Sequence, residues 1–91
     1  MIRQSVLVEN KLGLHARAAA KLVQLASCFS SEIHLSREDI KQPIDSKSIL
    51  GILMLAASKG TRLTFFIEGE DEEEAGDAIR RLFKDKFGEE S

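Results

Sequence analysis

Apolar residues recur in this chain with two different periods, and the order in which those periods alternate constrains the fold most. Met1 to Val8 reads as a strand, strongest at Val6, Leu7 and Val8. From about Ala16 to Ser27 the spacing changes: Ala19, Leu22, Val23 and Ala26 follow i, i+3, i+4, i+7, which predicts a helix with one apolar face. Glu32 to Ser36 returns to alternation, with Ile33 and Leu35 facing inward and His34 outward. Ile40 to Asp45 is a weaker strand, and Pro43, which lacks a ladder donor, places it at a sheet edge. Ser48 then precedes the apolar run of a short helix, with Ser46 a competing cap, and Lys59-Gly60 supplies its expected stop. Thr61 to Ile67 is a strong strand with Leu63, Phe65 and Ile67 on one face. Asp71 opens the last helix, and Glu74 three residues later suggests a capping box. The apolar face of that helix is Ala75, Ala78, Ile79, Leu82, Phe83 and Phe87, and Gly76 weakens it by about 1 kcal/mol relative to alanine.

The order β-α-β-β-α-β-α gives three one-sided helices and four strands. The economical solution is an α+β, two-layer open-faced sandwich. It has a four-stranded antiparallel sheet, helices on one face and the other face partly solvated. Residues 1–88 are read as a single domain, with Gly88 to Ser91 expected to fray and 89–91 set apart as a tail.

Composition narrows the function classes. Formal net charge is −2, which argues against binding nucleic acid by neutralising phosphates over a broad surface. An RNA-binding α+β domain would stack bases on exposed strand aromatics, and here Phe66 alone points to the outer face of a predicted strand. With 2 histidines and 1 cysteine no metal set is expected, and no cofactor is implied. Cys28 cannot close an internal disulfide, which suits a reducing cytosol, and it is expected as a small buried or half-buried residue near a helix end. Met1 to Ser5 lacks the pattern of a signal peptide, and the longest apolar stretch, Ile49 to Ala57, is too short to span a bilayer. The acidic cluster Glu68 to Glu74 reads as a turn plus a first helical turn that complements the helix dipole.

One constellation carries chemistry. Gly13-Leu14-His15-Ala16-Arg17 puts a histidine where a loop becomes a helix, with an arginine two residues later. A helix start is a natural anion site, because its first N–H groups have no partner inside the helix. Its positive end disfavours the imidazolium form, leaving a ring nitrogen free to accept a phosphoryl group. Arg17 can add charge-assisted hydrogen bonds to the phosphoryl oxygens. From the residues alone, a histidine at a helix start is more often structural or merely exposed.

The segments GLHARAAAKLV, SKSILGILML and ASKGTRLTFFIEGEDEEEA resemble the HPr family, the histidine-containing phosphocarrier proteins of the phosphoenolpyruvate-dependent phosphotransferase system. The similarity covers nearly the whole chain, in the family's order. It implies that His15 accepts a phosphoryl group on Nδ1 from Enzyme I and passes it to Enzyme II A components, with Arg17 binding the phosphate. It also implies a cytoplasmic monomer that is a carrier, not an enzyme. The family usually has proline directly after the arginine, where this chain has Ala18; alanine allows the same conformation with less rigidity.

Ser48 resembles the regulatory serine that an HPr kinase/phosphorylase modifies in some bacteria. Ile49, Leu50 and Leu53 or Met54 are too many apolar side chains for a short helix to bury. They are either core or, most clearly Ile49 and Leu50, an exposed docking patch. Two alternatives stay open. One is an NPr-type carrier in a nitrogen-related regulatory relay, toward which NKLGLHARAAAKL and MLAASKG lean. The other is a regulatory interaction module without carrier function, which binds transcription regulators through Ser48.

Overall fold

The alternation of Leu63, Phe65 and Ile67 makes β4 (Arg62–Glu68) the central strand, with all three side chains fully buried. In a computed structural model, which describes residues 1–89 except for the side chains of Ile40 and Lys41, β4 pairs antiparallel on both sides. On one side lies β1 (Ile2–Leu7), in the register Val6↔Leu63 and Gln4↔Phe65. On the other lies β2 (Glu32–Arg37), with Leu35↔Phe65 and Ile33↔Ile67. β3 (Ile40–Asp45) adds to β2, giving the order β1-β4-β2-β3. Pro43 therefore sits on an edge strand, in the stretch where the β2–β3 register shifts.

Three helices cover one face: α1 (Ala16–Ser27), α2 (Ile49–Met54) and α3 (Glu72–Lys84). Leu22 of α1, Ile52 of α2 and Ile79 of α3 are fully buried against the sheet's inner row. Phe65 meets Phe83 edge-on with ring centroids 5.6 Å apart, and Phe83 meets Phe87 at 4.8 Å. Each such buried ring contributes about 2–3 kcal/mol of apolar burial. The outer sheet face is half solvated, and there the Arg3 guanidinium lies 5.6 Å from the Phe66 ring centroid. The glycine in α3 has a packing reason: the Gln4 side chain of β1 donates to the Gly76 carbonyl at 2.9 Å, and a Cβ at Gly76 would stand 3.0 Å from Gln4 Oε1.

Four local expectations differ from the structure. First, α2 ends at Met54, five residues before Lys59-Gly60. Leu55 and Ala57 turn into the core, Ala56 adopts a left-handed backbone with φ 50°, and Arg37 donates to the Leu55 carbonyl at 2.9 Å. Gly60 instead turns the chain into β4, donating to the Val8 carbonyl at 2.8 Å. Second, no capping box forms at α3. The Asp71 carboxylate leaves its own helix and accepts from the N–H groups of Ser30 (2.9 Å) and Ser31 (3.0 Å) and from the Ser31 hydroxyl. Glu72 takes up the local role, accepting from the Gly69 N–H at 3.1 Å. Third, Cys28 is exposed: it closes α1, and its thiol donates back to the Gln24 carbonyl at 3.3 Å on the helix surface. Fourth, Phe87 is buried but not on the α3 face. Lys86, Phe87 and Gly88 take left-handed backbone angles of 54°, 57° and 76°, which swing the ring back onto Phe83.

Candidate functional site

The loop before α1 is set by Gly13 and Asn10. Gly13 has φ 68°, a conformation that side chains resist. Asn10 is completely buried and donates to the Gly13 carbonyl at 2.7 Å. The next residue, Leu14, donates its N–H to the Ala57 carbonyl at 2.8 Å, tying the loop to the segment after α2. His15 follows as the residue that caps α1, with extended backbone angles of −72° and 179°. The first full helical bond runs from the Ala19 N–H to the His15 carbonyl at 2.8 Å, so the N–H groups of Ala16, Arg17 and Ala18 have no carbonyl partner inside the helix.

The two ring nitrogens of His15 have different partners. Nδ1 accepts from the Arg17 backbone N–H at 3.3 Å, so its lone pair faces the helix start. Nε2 lies 2.5 Å from the Glu89 carboxylate. With Nδ1 accepting from Arg17, the ring proton belongs on Nε2, facing Glu89, and the Nδ1 lone pair faces the helix start. The other oxygen of Glu89 accepts from Asn10 at 3.0 Å. That hydrogen bond is the main cause that holds the Glu89 carboxyl below the usual carboxylate range; partial burial opposes it, and His15 and then Lys21 add to the lowering. Lys21 also donates to the Phe87 carbonyl at 2.5 Å, pinning the left-handed turn that delivers Glu89. Glu89, read from sequence as the start of a tail, thus touches the site; residues 90 and 91 lie outside the described residues.

Arg17 is exposed beside His15, and among the described residues its guanidinium has no ion-pair partner. Ala18 is fully buried in the first turn, where a small side chain fits against the core.

Ser48 caps α2: its hydroxyl oxygen accepts from the Gly51 N–H at 3.2 Å. Ser46 is not the cap; it is buried and its N–H donates to Ile33 in β2. The hydrogen bonds of Ser48 go to Asp45, Gly51 and Ile52, and among the described residues none reaches His15. The apolar residues of α2 divide clearly. Ile52 is buried, whereas Ile49 is 43%, Leu50 66% and Met54 76% exposed. Because α2 packs against α1, this apolar surface belongs to the same layer as the His15 helix.

Sequence reasoning missed two residues here, Asn10 and Glu89. Asn10 carried a faint signal, an asparagine in a glycine-containing loop. Glu89 carried none, since it is 74 residues from its partner. Among the described residues no cluster of His, Cys, Asp and Glu could hold a metal ion, and no helix is long and apolar enough to cross a membrane.

Comparison with known proteins bears directly on this site. A family model described as the PTS HPr component phosphorylation site matches residues 2–85. The phosphocarrier protein HPr of Cupriavidus necator is 47% identical over 89 residues, covering 98% of each chain. That of Xylella fastidiosa is 46% identical over 91 residues, covering 100% of each. The crystal structure of HPr-C-His from Thermoanaerobacter tengcongensis superposes with a TM-score of 0.93 at 44% identity, covering 100% of both chains.

Proposed function

The chain belongs to the HPr family, phosphocarriers of the phosphotransferase system and not catalysts, and on that premise we propose that His15 is the residue that carries the phosphoryl group. The observation that carries this reading is the orientation of the ring: the Nδ1 lone pair faces the N–H groups at the start of α1. A phosphoryl group on Nδ1 would take over the Arg17 N–H as a hydrogen-bond donor and sit at the positive end of the helix dipole. The exposed Arg17 guanidinium is free to fold over the phosphoryl oxygens.

Enzyme I is the proposed donor and an Enzyme II A component the acceptor. In the forward step the Nδ1 lone pair forms a bond to phosphorus while the donor's bond to phosphorus breaks and takes its electron pair. Delivery to the acceptor is the reverse at Nδ1. The protein needs no pocket for this, because the partner supplies the other half of the site. Ile49 and Leu50, which expose apolar surface on the neighbouring helix, are the docking residues in this reading. The carrier shuttles as a monomer in the cytoplasm, without inserting in a membrane and without binding nucleic acid.

Ser48 is the proposed regulatory site, modified by an HPr kinase/phosphorylase and then read by transcription regulators. It is exposed and already caps a helix start, so a phosphate there adds about −1.5 to −2 charge beside the docking residues without opening the core. A module that acted through Ser48 alone would have no use for a histidine oriented as His15 is.

Labelling with phosphoenolpyruvate and purified Enzyme I tests the carrier role, and the same assay with the nitrogen-system paralogue of Enzyme I separates the two branches. The proposal expects wild-type protein to be labelled and His15→Ala not. Preferential labelling by the paralogue would assign the chain to the NPr branch, toward which the NKLGLHARAAAKL segment leans.

A further inference from the structure

We propose that Glu89 is a positioning residue for phosphoryl transfer: its carboxylate holds the proton of His15 on Nε2 and offsets the positive charge the ring acquires when Nδ1 bonds phosphorus. This rests on the reading of His15 as the phosphoryl acceptor.

Several independent features build the contact. The Nε2–Glu89 distance is 2.5 Å, and the two side chains are only 24% and 14% exposed. A charge-assisted hydrogen bond sheltered from water in this way is stronger than one on open surface. The second carboxylate oxygen is fixed by Asn10, which is fully buried and itself locked to the Gly13 carbonyl, so the loop that presents His15 also orients Glu89. The backbone reaches this position through a turn that side-chain-bearing residues disfavour, with Lys86 and Phe87 both left-handed. Such a turn persists because burial of Phe87 and the Lys21 bond to its carbonyl hold it. The charged groups that face this carboxylate are Lys21, from α1, and His15 itself.

The chemistry follows from the tautomer. Before transfer the ring is neutral, with its proton on Nε2 and its lone pair on Nδ1. When that lone pair bonds phosphorus, the donor leaves with its own electron pair and the Nε2 proton stays. The ring then carries positive charge next to the phosphoryl group, facing Glu89. The carboxylate thus stabilises a charge present in the product and developing in the transition state, and absent from the resting ring. Because Nε2 is occupied by Glu89, phosphorylation is also directed to Nδ1.

Glu89→Ala and Glu89→Gln in the full-length protein test this. Two readouts are needed: the initial rate of transfer from phospho-Enzyme I, and the nitrogen and proton NMR signals of the His15 ring. The wild type is expected to show a downfield, exchange-protected Nε2 proton that Glu89→Ala loses, with transfer slowed on the order of tenfold. Glu89→Gln, nearly isosteric, keeps an acceptor for Nε2 and is expected to retain the tautomer while transferring more slowly than wild type, since the charge is gone. Wild-type transfer rates and unchanged ring signals in both variants would overturn the inference. If His15→Ala is labelled as well as wild type, the underlying reading fails and this inference with it. If labelling depends on His15 but both Glu89 variants behave as wild type, the inference alone fails.

Discussion

Gly13 lies against the carbonyl oxygen of Ala57 so closely that a Cβ at Gly13 would stand 2.5 Å from it and 2.9 Å from the Ser58 Cα. The same oxygen accepts the Leu14 N–H at 2.8 Å. The loop that presents His15 is therefore pressed onto the chain leaving α2, and the histidine's position depends on a residue without a side chain.

Gly13→Ala is expected to destabilise the fold by roughly 2–3 kcal/mol. It combines a left-handed backbone with a backbone clash that no rotamer relieves. Urea denaturation at neutral pH measures this. A loss under about 0.5 kcal/mol would show that the loop yields easily and that Gly13 does not position the site.

Asp71→Asn should change the acid limb of the stability curve. Hydrogen bonds from Ser31 and Ser30 hold the Asp71 carboxyl below its ordinary range. A carboxylate with a depressed folded-state value contributes stability that is present above the unfolded value and lost as pH falls through the folded one. The variant should thus be less stable than wild type at pH 7, with the gap closing below about pH 4. Urea midpoints at the two ends of that range check it; a gap that stays constant would mean the charge of Asp71 contributes nothing.

Ser48→Ala removes the cap of a helix only six residues long and is expected to cost about 1 kcal/mol. Ser48→Asp keeps an oxygen acceptor at the cap, so its melting temperature should stay near that of wild type. Its transfer from phospho-Enzyme I should nevertheless slow, because the added charge lies beside Ile49 and Leu50. Transfer at the wild-type rate would remove Ser48 from the docking surface.

The parts of this molecule legible in the sequence are those specified locally. The start of α1 at His15-Ala16, its end at Ser27, the edge position of Pro43 and the cap at Ser48 all follow from residue types within one or two turns. The departures come from partners distant in sequence. Asp71 abandons a local capping box for Ser30 and Ser31, 41 and 40 residues earlier. The end of α2 is set by burial of Leu55 and Ala57 and by Arg37 reaching over from β2, not by Lys59-Gly60. In the site, His15 and Arg17 are visible as a motif, but the tautomer of His15 depends on Glu89, which a hydrophobic pattern cannot place.

The central claim is that phosphate enters on Nδ1 of His15, at the helix start. The most direct test is to phosphorylate ring-nitrogen-labelled protein with phosphoenolpyruvate and Enzyme I and identify the modified nitrogen by phosphorus–nitrogen coupling in NMR. The account predicts coupling to Nδ1 of His15 alone, with no phosphohistidine in His15→Ala. Coupling to Nε2, or labelling that survives in His15→Ala, would contradict it.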